Sequence, residues 1–178
     1  AVLSGDGAPF TDDAPAAPLT AYGRAKAEAE RLVLARHPEA TVVRTSLIYG
    51  LTPLDKHHRW VLEALRDGRE VYLYHDEIVC PIWVTNLAEA LLELAALQAP
   101  GRLNLAGPQP LSRWELGLKV LAALGQSPGP LLQPASVYDA VPPRPGDRRL
   151  DLSRASTLLS TPLLTVDEAL VRQAGAGR

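Results

Sequence analysis

Tyr22 and Lys26 stand four residues apart in the segment Thr20-Ala21-Tyr22-Gly23-Arg24-Ala25-Lys26. On a helix that spacing puts both side chains on one face. An ammonium beside a phenol favours the phenolate, and a phenol biased in this way can give or take a proton near neutral pH, as general acid-base work requires. The same ammonium can also donate to the ribose hydroxyls of a nucleotide. Taken alone, the pair fits a solvated helix start better, with Tyr22 packed on a neighbour.

The elements that must carry this pair are readable around it. Residues 5–19 are rich in Gly, Asp, Pro and Ala and read as a surface loop. Thr20 caps a helix to about Arg36, its apolar positions being Ala25, Ala29, Leu32 and Val33, with Glu28 and Glu30 on the wet side. Thr41 to Thr45 is a β-branched run and predicts a buried strand; 46–55 predicts a loop. A helix over Lys56 to Asp67 stops at Gly68, Glu70 to Tyr74 reads as a strand, and Ile78 to Cys80 as a short extended piece. Thr85 caps a helix to about Gln98, and Arg102 to Ala106 is a strand. Ser112-Arg113-Trp114-Glu115 is a capping box opening a helix to about Leu124. Pro128 to Pro145 is irregular with one short strand near Leu132; Ser153 caps a short helix, Val166 to Gln173 forms the last one, and 174–178 is a disordered tail. Alternating helices and strands make the class α/β, with a shorter-elemented α+β lobe in the second half.

Other reactive residue types carry blander readings. His57 and His58 are adjacent, point about 100° apart on a helix, and are expected at the surface rather than on a metal. His75-Asp76-Glu77 reads as a turn, Cys80 as buried and inert, Trp60, Trp83 and Trp114 as core, and Arg148-Arg149 as an exposed pair. No metal site is expected.

Composition narrows the classes. A net charge of -2 excludes a strongly basic nucleic-acid binder. The apolar runs are too short to span a bilayer, and the single Cys excludes an internal disulfide framework. No secretory signal opens the chain, so a cytoplasmic protein is expected, with no nucleic acid and no membrane as partners. The sequence holds no Met, and Ala1-Val2-Leu3 reads as the end of a strand; residue 1 is expected to lie inside a larger fold.

The surroundings of Tyr22 carry a resemblance. Pro18 to Glu30 resembles the active-site helix of the extended short-chain dehydrogenase/reductase superfamily, and Gly7 to Asp13 its preceding loop. Arg44-Thr45-Ser46-Leu47-Ile48-Tyr49-Gly50 resembles the next strand and its exit. Asp76 to Leu91, with Pro81 and Asn86, resembles a polar strand leading through Pro into a helix. Arg144-Pro145-Gly146-Asp147 and Leu150 to Ala155 resemble the late signature. The order is kept across nearly the whole chain, and within the superfamily the dTDP-4-dehydrorhamnose reductase family is the one most resembled.

That resemblance implies the C-terminal part of a Rossmann-type parallel-sheet fold with a small α+β substrate lobe, the N-terminal dinucleotide-binding half being missing. Residues 1–55 and 82–106 would form core sheet and helices, and 56–81 and 107–178 mostly the lobe. The implied activity is reduction of a 4-keto nucleotide sugar in dTDP-rhamnose biosynthesis, with NADPH or NADH. Tyr22 and Lys26 would be catalytic: Tyr22 as general acid, Lys26 binding the nicotinamide ribose and biasing Tyr22. Thr45 and Ser46 would lie beside the nicotinamide, Leu47 would border the sugar, and Arg144 would approach its phosphates. The family's catalytic Ser or Thr would fall just upstream of Ala1, and Leu47 stands where the family usually has Trp. A non-catalytic NADP-binding regulatory subunit of the same fold, or a nucleotide-sugar epimerase or dehydratase, is the alternative reading. A homodimer is compatible with all of these, and oligomeric state stays open.

Overall fold

The computed structural model describes residues 2–5, 7–141 and 144–175. Its elements run α1 (Ala21–Arg36), β1 (Thr41–Arg44), β2 (Ile48–Tyr49), α2 (Lys56–Arg66), β3 (Val71–Tyr74), β4 (Ile78–Val79), β5 (Ile82–Trp83), α3 (Val84–Ala96), β6 (Gly101–Asn104), β7 (Leu111–Ser112), α4 (Arg113–Ala123), β8 (Leu132–Ala135), α5 (Ser153–Leu158) and α6 (Val166–Gly175). The architecture is α/β. Three strand pairs are parallel: β1 with β6, Thr41 opposite Gly101; β2 with β5; and β3 with β8. β4 and β7 pair antiparallel.

Local chemistry sets most boundaries. The Thr20 hydroxyl accepts from Gly23 N–H at 3.0 Å and opens α1. Asp55 accepts from the backbone N–H groups of His57 and His58 and opens α2; Gly68, at φ +73°, lets the chain leave it. The capping box is present at α4: Glu115 N–H donates to Ser112 Oγ at 3.1 Å, and Ser112 N–H to Glu115 Oε2 at 2.7 Å. A cap of this kind contributes about 1 kcal/mol to its helix.

Several expectations are corrected. The face that α1 turns inward is Gly23, Ala27, Glu30 and Leu34; Ala25, Ala29, Leu32 and Val33 are exposed. Glu30 is buried because Arg44 meets it there, and small alanines impose no face of their own. β1 is half-buried, Arg44 alone being fully enclosed. The expected loop 46–55 contains β2, held by β5. The helix expected to be capped by Thr85 begins at Val84 on Trp83, with no side-chain cap, because the chain passes into it directly from β5. Ser153 lies inside α5, and Asp151 accepts from its N–H at 2.9 Å. α6 continues through Gly175, so Ala174 and Gly175 are helical rather than disordered; residues 176–178 lie outside the described residues. Val2 and Leu3 are buried but not in a strand, and residue 1 lies outside the description.

Among the described residues the core has four centres. Ile82, Leu87, Leu94, Leu103 and Ala155 join β5, α3, β6 and α5. Tyr49, Leu116, Val120, Val166 and Leu170 join β2, α4 and α6. Val61, Val71, Leu73, Leu121 and Leu132 join α2, β3, α4 and β8. Val2, Leu3, Cys80, Ala106 and Leu150 form the fourth. Beyond the end of β6 the backbone nearly touches the residue that leads into β5: a Cβ at Gly107 would overlap the Pro81 carbonyl oxygen. Only glycine fits there.

Candidate active site

The C-terminal end of β1 and the first turn of α1 face a common cleft of about 510 Å³. Its wall includes Tyr22, Thr45, Ser46 and Leu47, with Val2, Leu3, Val79 and Leu150 supplying apolar surface and Arg113 and Arg148 positive charge. Tyr22 is 65% exposed. Lys26 stands one turn further along α1, its Nζ 5.9 Å from the centre of the Tyr22 ring. Helical spacing thus brings the pair together as expected, although Lys26 is not part of that wall. Arg144 lines a neighbouring hollow of about 330 Å³ that shares Tyr22, Leu3 and Arg148 with the first. A third hollow of about 200 Å³, walled by His57, Tyr74, Glu77 and Arg113 among others, also takes in Arg144.

What ties α1 to β1 is a buried ion pair two turns beyond Tyr22. Arg44 Nε and Nη2 donate to Glu30 Oε1 and Oε2 at 3.0 and 2.8 Å. Arg44 Nη1 donates to the Ala14 carbonyl at 2.7 Å, and Arg102 Nε to Glu30 Oε2 at 3.2 Å. Burial pushes the Glu30 carboxyl up, but the Arg44 and Arg102 guanidiniums outweigh it and hold the group below the usual carboxylate range. Loop, helix and strand end are therefore tied at one point. Two residues beyond Arg44, Ser46 Oγ accepts from Cys80 N–H at 3.0 Å, which fixes that hydroxyl. Cys80 is buried, and burial pushes its thiol up, as suits packing rather than nucleophilic chemistry.

Three arginines meet on one carboxylate between the hollows. Glu77 is 1% exposed, and its Oε1 faces Arg113 Nε at 3.6 Å, Arg144 Nη2 at 3.4 Å and Arg148 Nη2. Glu77 Oε2 and Arg148 Nε have no hydrogen-bond partner. Burial pulls Arg148 below its ordinary value, opposed by Glu77. The guanidinium of Arg144 also lies 5.3 Å from the centre of the Tyr74 ring. Of these three arginines, the sequence marks Arg144 as a phosphate contact and Arg148 as one of an exposed pair. Arg148 is not the exposed residue it was expected to be, since it turns inward to Glu77, whereas Arg149 pairs with Asp147. His75 and Asp76 form the expected bend between β3 and β4, and Glu77, directly after it, is the anchor of this cluster. Only the capping-box position of Arg113 and the Arg-rich run at 144–149 offered any local signal for it.

His58 is buried, not superficial: its Nδ1 lies 2.6 Å from Asp55 Oδ2. His57 lines the third hollow and stacks on Trp60, which is 46% exposed and so not core. Burial, with the charges of Arg113 and His58, pulls His57 down to about 4, so it is neutral at pH 7. Among the described residues no group of His, Cys, Asp and Glu has the arrangement to hold a metal ion. Nor is any helix among them long and apolar enough to cross a membrane.

A parallel α/β core, with a Tyr–Lys helix packed beside the end of the adjacent strand, defines a Rossmann-type protein of the extended short-chain dehydrogenase/reductase superfamily. Within it, residues 1–175 match the family model described as the RmlD substrate binding domain, and the chain belongs to that family. It is 36% identical over 143 residues to a dTDP-4-dehydrorhamnose reductase of Mycobacterium tuberculosis, covering 79% of this chain and 45% of that protein. It is 31% identical over 130 residues to a probable dTDP-4,6-dihydroxy-2-methyloxan-3-one 4-ketoreductase of Streptomyces antibioticus, covering 72% and 44%. The crystal structure of a Bacillus anthracis dTDP-4-dehydrorhamnose reductase in complex with NADP superposes with a TM-score of 0.83 at 19% identity, covering 99% of this chain and 63% of that one. That last likeness is one of fold. The chain spans about half the length of the curated relatives it matches.

Proposed function

We propose that this chain forms the substrate side of an NAD(P)H-dependent reductase acting on a 4-keto nucleotide sugar. The observation that carries the proposal is the meeting of Tyr22, Thr45, Ser46 and Leu47 in one cleft whose further wall is arginine-rich. Family membership and the names of the relatives supply the reaction class. We assign 1–55 and 82–106 to the core and 56–81 and 107–178 mostly to the substrate lobe. The parallel β1–β6 pair falls in the first part and the β3–β8 pair in the second.

The residues present fit one end of a dinucleotide. The exposed Lys26 ammonium and the Tyr22 phenol offer donors for a nicotinamide ribose, and Thr45 and Ser46 give a small polar wall beside it. No Gly-rich phosphate loop occurs in the sequence. When bound, the nicotinamide supplies the hydride. Tyr22 donates its phenolic proton to the sugar's keto oxygen, and Lys26 beside it holds the nicotinamide ribose. Leu47 borders the sugar, and Arg144, joined by Arg113 and Arg148, holds the diphosphate. The apolar surface of Val2, Leu3 and Leu150 keeps water from the reacting carbon. The substrate is the only partner this reading requires.

The test is Tyr22→Phe in the natural polypeptide that carries these residues. Turnover of a 4-keto nucleotide sugar should fall about 100- to 10,000-fold, the usual worth of a positioned proton donor. NADPH affinity, measured by calorimetry, should stay within a small factor. Unchanged turnover would remove Tyr22 from the chemistry.

A further inference from the structure

We infer that Glu77 determines which phosphate chemistry the arginine cluster prefers, by setting the net charge of the cluster to match a diphosphate diester. The inference rests on the nucleotide-sugar reading above and deepens it. Three guanidiniums converge on one carboxylate that is 1% exposed, which leaves an excess of two positive charges. The side chains of Arg113, Arg144 and Arg148 are 19%, 44% and 21% exposed, and each lines two of the three hollows. Five donors on each guanidinium far exceed what one carboxylate oxygen accepts. Glu77 Oε2 and Arg148 Nε are both buried without a partner, a cost that a purely structural ion pair would not keep. A charge so placed serves the ligand rather than the fold.

The charges of the competing ligands differ by one. A diphosphate esterified at both ends, as in a nucleotide sugar, carries two negative charges. A free nucleoside diphosphate carries about three above pH 7, because its terminal phosphate has a second ionisation near 6. Without Glu77 the three arginines would match the free nucleoside diphosphate, the product of sugar loss. With it they match the intact sugar ester. Glu77 touches no reacting atom; it acts through the arginines as a positioning and selectivity residue. Neighbouring titratable groups do not alter the comparison: His57 is neutral at pH 7, Asp147 is satisfied by Arg149, and Asp76, held ionised by Ser136 and Val137 N–H, is the same in every variant.

The experiment measures dissociation constants of dTDP-glucose and dTDP by calorimetry at pH 8, in the natural polypeptide carrying these residues. Glu77→Gln should move the affinity ratio about ten-fold toward dTDP, the effect of one unit charge at mid-range distance in a half-wet cleft. Arg148→Gln should move it the opposite way, and the double variant E77Q/R148Q, which restores the charge balance, should return it to the wild-type value. Loss of stability alone would lower both affinities together and leave the ratio alone. If Glu77→Gln does not fold, the two remaining variants still decide: an R148Q ratio equal to the wild type overturns the inference. If the wild type binds both ligands and the ratio is the same in every variant, Glu77 has no such role and the nucleotide-sugar reading survives. If the wild type binds neither ligand, that reading fails and takes this inference with it.

Discussion

Replacing Glu30 by Gln removes one charge from the pair that joins α1 to β1 and keeps the side chain's size. Arg44 and Glu30 expose 4% and 9% of their side chains, so neither can turn to water when its partner goes. Removing one member of a buried pair costs about 3–5 kcal/mol, because the remaining charge stays desolvated. The amide keeps one acceptor for Arg44, and the Ala14 carbonyl at 2.7 Å keeps another, which places the expected loss near the lower bound, about 3 kcal/mol. Arg102 is a control on the same carboxylate: its side chain is 33% exposed, and Arg102→Gln should cost about 1 kcal/mol or less. Urea unfolding followed by tryptophan fluorescence measures both. The pH dependence gives a second arm. Because the Glu30 carboxyl is held below its ordinary value, its contribution is complete above about pH 4.5 and is lost as pH falls through the lower folded value. The gap between wild type and Glu30→Gln should therefore close on acidification. Glu30 lies one turn beyond Lys26 and two beyond Tyr22, and Arg44 immediately precedes Thr45, so a loosened pair should lower kcat more than it raises KM. A loss under about 1 kcal/mol, or a gap that stays constant from pH 7 to pH 3, would refute the reasoning.

The backbone crossing at Gly107 is tested by Gly107→Ala, whose Cβ would overlap the Pro81 carbonyl. The expected cost is about 3 kcal/mol, read as a Tm lower by about 6–12 °C in a scanning calorimeter; an unchanged Tm would show that the chain at Gly107 and at Pro81 can part without penalty. His57 should make the protein lose stability as pH falls from 6.5 toward 4, because the unfolded chain takes up the proton and the folded one refuses it. The full difference is about 3 kcal/mol, and urea unfolding of His57→Gln should lack that part of the slope; identical slopes would deny His57 the effect.

Local chemistry was legible and long-range chemistry was not. The Thr20 cap, the Ser112–Glu115 box and the Tyr22–Lys26 face each depend on residues three or four apart, and each stands where the sequence put it. The face of α1 did not follow, because alanines bury or expose at little cost, and the decisive residue, Arg44, lies 14 positions beyond Glu30. The start of α3 shifted for a related reason: pairing of β5 with β2 fixes where the helix begins, whatever Thr85 offers. Trp60 and His58 exchanged their expected places because Asp55 draws the imidazole inward while the indole only stacks on His57.

The site divides along the same line. Thr45, Ser46 and Leu47 carry no periodic signal of their own, and resemblance alone singled them out; the structure places them in the cleft with Tyr22. Glu77 and Arg148 are separated by 71 residues and meet only because β4 forms an isolated bridge from Ile78 to Asp147 and accepts Arg148 N–H at the Ile78 carbonyl, 3.0 Å away. A composition with nearly balanced charges conceals such a cluster, since a net charge of -2 over the whole chain says nothing about an excess of two positive charges in one place. Anion recognition is written in where charges converge, and convergence is a property of the fold. The Tyr22–Lys26 pair is local and readable, whereas the arginine cluster on Glu77 is assembled from three separate stretches of chain. A substitution that spares Tyr22 and Lys26 can therefore still dismantle a charge cluster that no local pattern announces.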